Sequence, residues 1–252
     1  SVNILRMSNP AVSPMTANNT EPAYRAVSQK EYEDICSRIL YEDNHVLVFN
    51  KRAGEITQGD RTGDEPLPEK LKAFIAARDH KPGRVFMGVP HRLDRPVSGA
   101  VIMAKTSKAL ERLSGAFRDG GAGKIYWALV EKAPEPSQGE IRSWLTRNEK
   151  QNKAYSWPEP RPGAKEAILR YRLLRPTKNY FLVEVQLLTG RHHQIRCQLS
   201  SIGCPIKGDL KYGARRSNPD GSISLHARQI TFIHPTRKEP VTVTAPTPME
   251  NM

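Results

Sequence analysis

Cysteine is scarce in this chain of 252 residues, with only Cys36, Cys197 and Cys204 present. An odd number without a CxxC pair argues against a disulfide framework and against a thiolate zinc site. The three read as buried thiols of a reducing compartment, which is an expectation of a cytoplasmic protein. Long apolar runs are missing too, so no segment reads as a bilayer-crossing helix. The opening SVNILRMSNPAVSPMTANNTEP lacks the cationic-then-apolar order of a signal peptide, and residues 1–27 read as a flexible leader. Acidic residues fall well short of basic ones, at 26 against 39, leaving a net charge of +13. Such a chain is drawn to polyanions. Its cations run from Arg25 to Lys238, so they describe a broad basic face and not a detachable tail.

Several signatures of chemistry are also absent. GGAGK (120–124) lacks the glycine and the hydroxyl of a phosphate loop, because Arg118 and Ile125 occupy those places. VSG at Ser98 lacks the flanking glycine of a nucleophile elbow. His192 and His193 are adjacent and do not both face one metal from a regular element, and no HExxH occurs. A metal-dependent nucleic-acid hydrolase therefore has no visible ligands, and no metal is expected.

Alternating short strands and helices are what the sequence offers instead. SQKEYEDICSRIL opens with Ser28 and Glu31 at capping-box spacing, and Tyr32, Ile35 and Ile39 share a helical face. HVLVFN reads as a strand, LPEKLKAFIAAR as a helix, GAVIMAK (99–105) as a buried strand, SKALERLSGAF as a helix and KIYWALVEK as a strand. Residues 133–164, with five prolines, read as irregular. AILRYRLL and YFLVEVQLL suggest a hairpin. TGRHHQIRCQLSSIG turns at Gly190 into a helix with Ile195, Leu199 and Ile202 on one face. ISLHARQITFIHP and EPVTVTAP supply the last strands. Hairpin-linked strands outnumber helices, which predicts an α+β fold with a mixed, largely antiparallel central sheet flanked by helices. Residues 28–252 read as one domain.

HRLDRPVSG (91–99) sets one carboxylate, Asp94, between Arg92 and Arg95 in the loop that feeds a strand. A scaffold can aim a side chain placed there. Four stretches occur in series: HRLDRPVSGAVIMAKTSKAL, KIYWALVEK, LLTGRHHQIRCQLSSIGCPIKGDLKYG and LHARQITFIHP. In that order and at those distances they resemble the RluA-like family of RNA pseudouridine synthases, from about ILYEDNHVLVFNK to VTVTAP.

The resemblance implies an isomerase that moves uracil from an N1 to a C5 linkage in structured RNA, ribosomal or transfer. It implies no cofactor and no obligate protein partner, and a monomer is expected. The family's essential carboxylate falls on Asp94, its active-site tyrosine on Tyr126 and the aspartate's basic partner on Arg196. Val97 stands where the family commonly has Thr, and Gln198 where it has His. An arginine at 196 suits a planar fork on Asp94. The Tyr126 ring suits stacking on an extruded base. Arg92, Arg95, Arg191 and Lys211 suit phosphates, while His193 suits the same RNA-facing surface or the ordering of a loop. No clear S4-type RNA-binding domain precedes the catalytic stretch. A non-catalytic RNA-binding protein that keeps the fold is the alternative, and its mark would be a missing Asp94.

Overall fold

A computed structural model describes residues 23–120 and 122–252. Along the chain run α1 (Gln29–Arg38), β1 (Ile39–Glu42), β2 (Val46–Lys51), α2 (Leu67–Asp79), β3 (Ser98–Ala104), α3 (Ser107–Arg118) and β4 (Gly123–Val130). Then come β5 (Gln138–Asn148), β6 (Lys153–Trp157), β7 (Lys165–Pro176), β8 (Phe181–Leu187), α4 (Gln194–Ser201), β9 (Leu225–Ile233) and β10 (Pro240–Thr244). The helix starts follow local chemistry. The Ser28 hydroxyl accepts the Glu31 N–H at 3.1 Å and opens α1. Thr106 does the same for the Ala109 N–H and opens α3.

The described strands form one sheet in the order β1-β2-β3-β9-β4-β8-β7-β5-β6, with β10 added to β9. Every pairing is antiparallel except that of β3 with β9, which meet through Ser98–His226 and Gly99–Ala227. The expected α+β class with a largely antiparallel sheet is therefore borne out. At the parallel junction the backbones come very close. Gly99 has φ +121°, and a Cβ there would collide with the Ala227 backbone, so only glycine fits.

Among the described residues, besides two smaller apolar clusters, two large cores flank the sheet. One, under α1, α2 and α4, gathers Ile35, Phe49, Phe74, Val101, Tyr126, Val185 and Leu199. The other, under α3 and β10, gathers Val48, Ile102, Leu113, Phe232 and Val243.

Four expectations need correction. The stretch 133–164 is not irregular: it holds β5 and β6, which pair from Trp144–Trp157 to Asn148–Lys153. Its prolines sit at the ends of those strands. The first helix stops at Arg38, and Ile39 begins β1. Ile202 is 37% exposed, because the final helix ends at Ser201 before its face closes. Cys36 is exposed, unlike Cys197 and Cys204. Most of the expected leader lies outside the described residues. Within its last residues, the Tyr24 hydroxyl donates to the Val85 carbonyl at 3.2 Å, and Arg25 pairs with Glu31 and Glu65.

Candidate active site

Asp94 lies in the connection from α2 to β3, and its loop is fastened on every side. Leu93 and Val97 bury their side chains next to it. The Val97 N–H donates to the Asp94 carbonyl at 3.0 Å, which makes a tight turn. The Arg95 carbonyl accepts from the Gly54 N–H at 2.7 Å and from the Lys51 ammonium at 3.1 Å. The Pro96 carbonyl accepts from the Ile223 N–H at 3.1 Å. Lys51 is itself buried, and that burial lowers its pKa to about 8. What results is a rigid loop whose aspartate side chain remains 36% exposed, open to a ligand.

Three predicted residues converge. Arg196 on α4 brings its Nη1 to 3.7 Å from the Asp94 carboxylate. Tyr126 on β4 is buried, and its phenol pKa is raised well above the usual value, first by burial and then by the Asp94 charge. The phenol is thus protonated over the whole physiological range. His193 sets its Nε2 3.5 Å from Asp94.

The expected fork between Arg196 and Asp94 is not there. Both arms of the guanidinium donate instead to Asp209, Nε at 2.8 Å and Nη2 at 2.8 Å. Asp209 is 1% exposed. Burial works against the Arg196 charge, but the Asp209 fork more than offsets it and the pKa is raised. This leaves Nη1 to face Asp94 at the longer distance. Nη1 also donates to His193 Nε2 at 3.2 Å. An arginine only donates, so His193 accepts there and carries its proton on Nδ1, which meets the Tyr212 hydroxyl at 2.7 Å. Burial, with Arg196 adjacent, pushes the His193 pKa down to about 2, so the ring is neutral. His193 adopts the left-handed conformation (φ +55°) just before α4, and its ring stacks on His192 at 3.8 Å.

The remaining expected RNA contacts divide. Arg92 is exposed beside Asp94. Arg95 turns away, donating to Asp60 at 2.6 Å and Asp64 at 3.0 Å. Arg191 uses Nε on the Glu166 carbonyl at 2.8 Å. Lys211 is exposed and donates to the carbonyls of Gln151 and Asn152. Sequence reasoning missed Lys51, Asp209 and Tyr212. The last two stand in GDLKYG, inside a stretch already singled out.

A family model described as RNA pseudouridylate synthase matches residues 45–201. The chain belongs to the RNA pseudouridylate synthase family. Members of this family are isomerases, and the expected resemblance is borne out. An uncharacterized RNA pseudouridine synthase of Synechocystis is 34% identical over 83% of this chain and 65% of its own length. The ribosomal large subunit pseudouridine synthase C of Vibrio vulnificus is 32% identical over 90% of this chain and 70% of its own length. The chain thus spans about two thirds of the length of these two relatives. Human RNA pseudouridylate synthase domain containing 4 superposes with a TM-score of 0.71 at 24% identity, over 86% of this chain and 91% of that one. That likeness supports the synthase fold.

Proposed function

We propose that this chain isomerises specific uridines of structured RNA to pseudouridine, with Asp94 as the essential carboxylate. One observation carries the reading. The single partly exposed carboxylate of a rigid loop faces a buried arginine whose other arm is already fixed. A carboxylate so placed beside a bound ribose has two routes. It can attack C1′, or it can remove the C2′ proton to give a glycal. Either route breaks the N1–C1′ bond and frees uracil to turn. C5 then bonds to C1′, displacing the carboxylate in the first route or with return of the C2′ proton in the second. The C5 proton leaves as the conjugated base is restored, and N1 takes up a proton. Atoms and electrons balance without a co-reactant.

Arg196 steadies the Asp94 charge, and Asp209 keeps Arg196 from swinging away. The protonated Tyr126 supplies a flat ring to stack on the base and a hydroxyl for proton traffic. Arg92, Arg191, His193 and Lys211 line the approach of the RNA. Arg95 helps by locking the loop onto Asp60 and Asp64. Ribosomal RNA is the favoured substrate, since relatives carry ribosomal large subunit in their names. The protein acts as a cytoplasmic monomer.

The test is to map pseudouridines in total RNA from cells with and without this protein, by mass spectrometry of defined fragments. At least one site should vanish with the protein and return with it. Identical maps would refute the assignment.

A further inference from the structure

An ammonium taken out of water without a partner is costly to the folded state. Among the described residues, Lys51 and Lys124 are the lysines taken furthest out of water. Lys51 finds the carbonyls of Arg52 and Arg95. Lys124 finds nothing comparable: among the described residues it has neither a carboxylate nor a hydrogen-bond acceptor. It stands on β4 two residues before Tyr126. On one side of that strand Lys124 stands opposite Leu187 and Tyr126 opposite Val185 of β8; on the other, Lys124 stands opposite Ile230 of β9, with a register shift before Tyr126. The Lys124 Nζ lies 4.8 Å from the centre of the Phe117 ring at the end of α3. The residue is half-buried and so within reach of a ligand, while burial lowers its pKa to about 8.

His91 lies on the same ring. It is three residues before Asp94 and stacks on Phe117 with centres 4.6 Å apart and planes 7° from parallel. Its Nε2 accepts the Ile102 N–H at 3.0 Å. Burial and the nearby Lys124 charge hold the ring neutral, so Nδ1 carries the proton. That Nδ1 is buried and has no partner. Protein interiors rarely leave such groups unmatched. Here two unmatched donors share one aromatic plate, on the segments that carry Asp94 and Tyr126. A cation and a neutral N–H with no acidic residue between them select an anionic oxygen.

We propose that Lys124, backed by the His91 Nδ1–H, forms a phosphate subsite that takes a phosphodiester oxygen of the RNA strand entering the cleft. This rests on the RNA reading above and adds a grip distinct from Arg92, Arg191 and Lys211. Phe117 holds the free ammonium in place through its ring face.

The experiment measures binding of a labelled stem-loop RNA across a salt series, for wild type, Lys124→Met and Lys124→Arg, with thermal melting of each RNA-free protein. Lys124→Met should bind several-fold more weakly at low salt. Its plot of log affinity against log salt should be shallower by about 0.7–0.9, the share of one phosphate. Without RNA it should melt above wild type, because an unmatched charge has gone. Lys124→Arg should keep the wild-type slope. A Met variant with the wild-type slope overturns the subsite, whatever its melting temperature. A wild type whose binding ignores salt overturns both the subsite and the RNA reading beneath it. Salt-dependent wild-type binding with an unchanged Met slope overturns the subsite alone.

Discussion

Arg196 divides its guanidinium between two carboxylates, and the division sets their roles. Asp209, buried and doubly bonded, is the anchor, while Asp94, half-exposed and 3.7 Å away, is left open to a ligand. Replacing Asp209 strips a buried cation of its partner. Asp209→Asn should lower unfolding stability by about 3–5 kcal/mol and cut activity by more than the folded fraction explains. Urea denaturation alongside turnover checks this, and a wild-type unfolding curve would remove Asp209 from the account. His193 and His91 make a second residue-scale prediction. Burial holds both neutral, whereas an unfolded histidine takes up a proton near pH 6.5. Below that pH the unfolded chain binds more protons than the folded one. Their contribution is therefore intact above 6.5 and is lost as the pH falls. The two together should remove roughly 2 kcal/mol between pH 6.5 and 5.5. Denaturation curves at pH 7, 6 and 5 measure it, and a profile flat down to pH 5 would count against buried neutral rings.

Among the elements, the parallel contact between β3 and β9 does most to place the site. It fixes the end of the Asp94 loop against the strand that neighbours Tyr126. Gly99→Ala forces a side chain into the Ala227 backbone at a positive φ. It should destabilise by more than about 1 kcal/mol and should reduce turnover further by displacing Asp94. If thermal melting and activity both match wild type, the junction is looser than described. Elements with local signals were legible in the sequence: α1 and α3 carry their own caps, and β8 is a short apolar run in which Val183 and Val185 are buried on either side of Glu184. The strands β5 and β6 were not. Ile141, Ser143 and Leu145 are the inward positions of β5, set among Glu140, Arg142 and Arg147. Two apolar residues among charges, with prolines at both ends, look like a loop. The positions proposed for Asp94, Tyr126 and Arg196 were readable because the stretches that carry the family resemblance contain them. Asp209 and Lys51 were not, since their roles come from contacts that only the fold makes. The fork on Asp209 closes across 13 residues, and the Lys51 bond to the Arg95 carbonyl across 44.

At the scale of the whole molecule, a net charge of +13 and one carboxylate at the centre divide the labour. On the proposed function, the cations hold a polyanion and the carboxylate does the chemistry. Removing the carboxylate should therefore separate the two. Asp94 has solvent on one side and accepts no buried donor whose loss would unfold the loop, so Asp94→Ala should melt close to wild type. The decisive measurement gives that variant a stem-loop RNA carrying the mapped uridine and follows both affinity and isomerisation, the latter by tritium release from C5. The account predicts wild-type affinity within a few-fold and no detectable pseudouridine. Turnover by Asp94→Ala at a rate near wild type would contradict it.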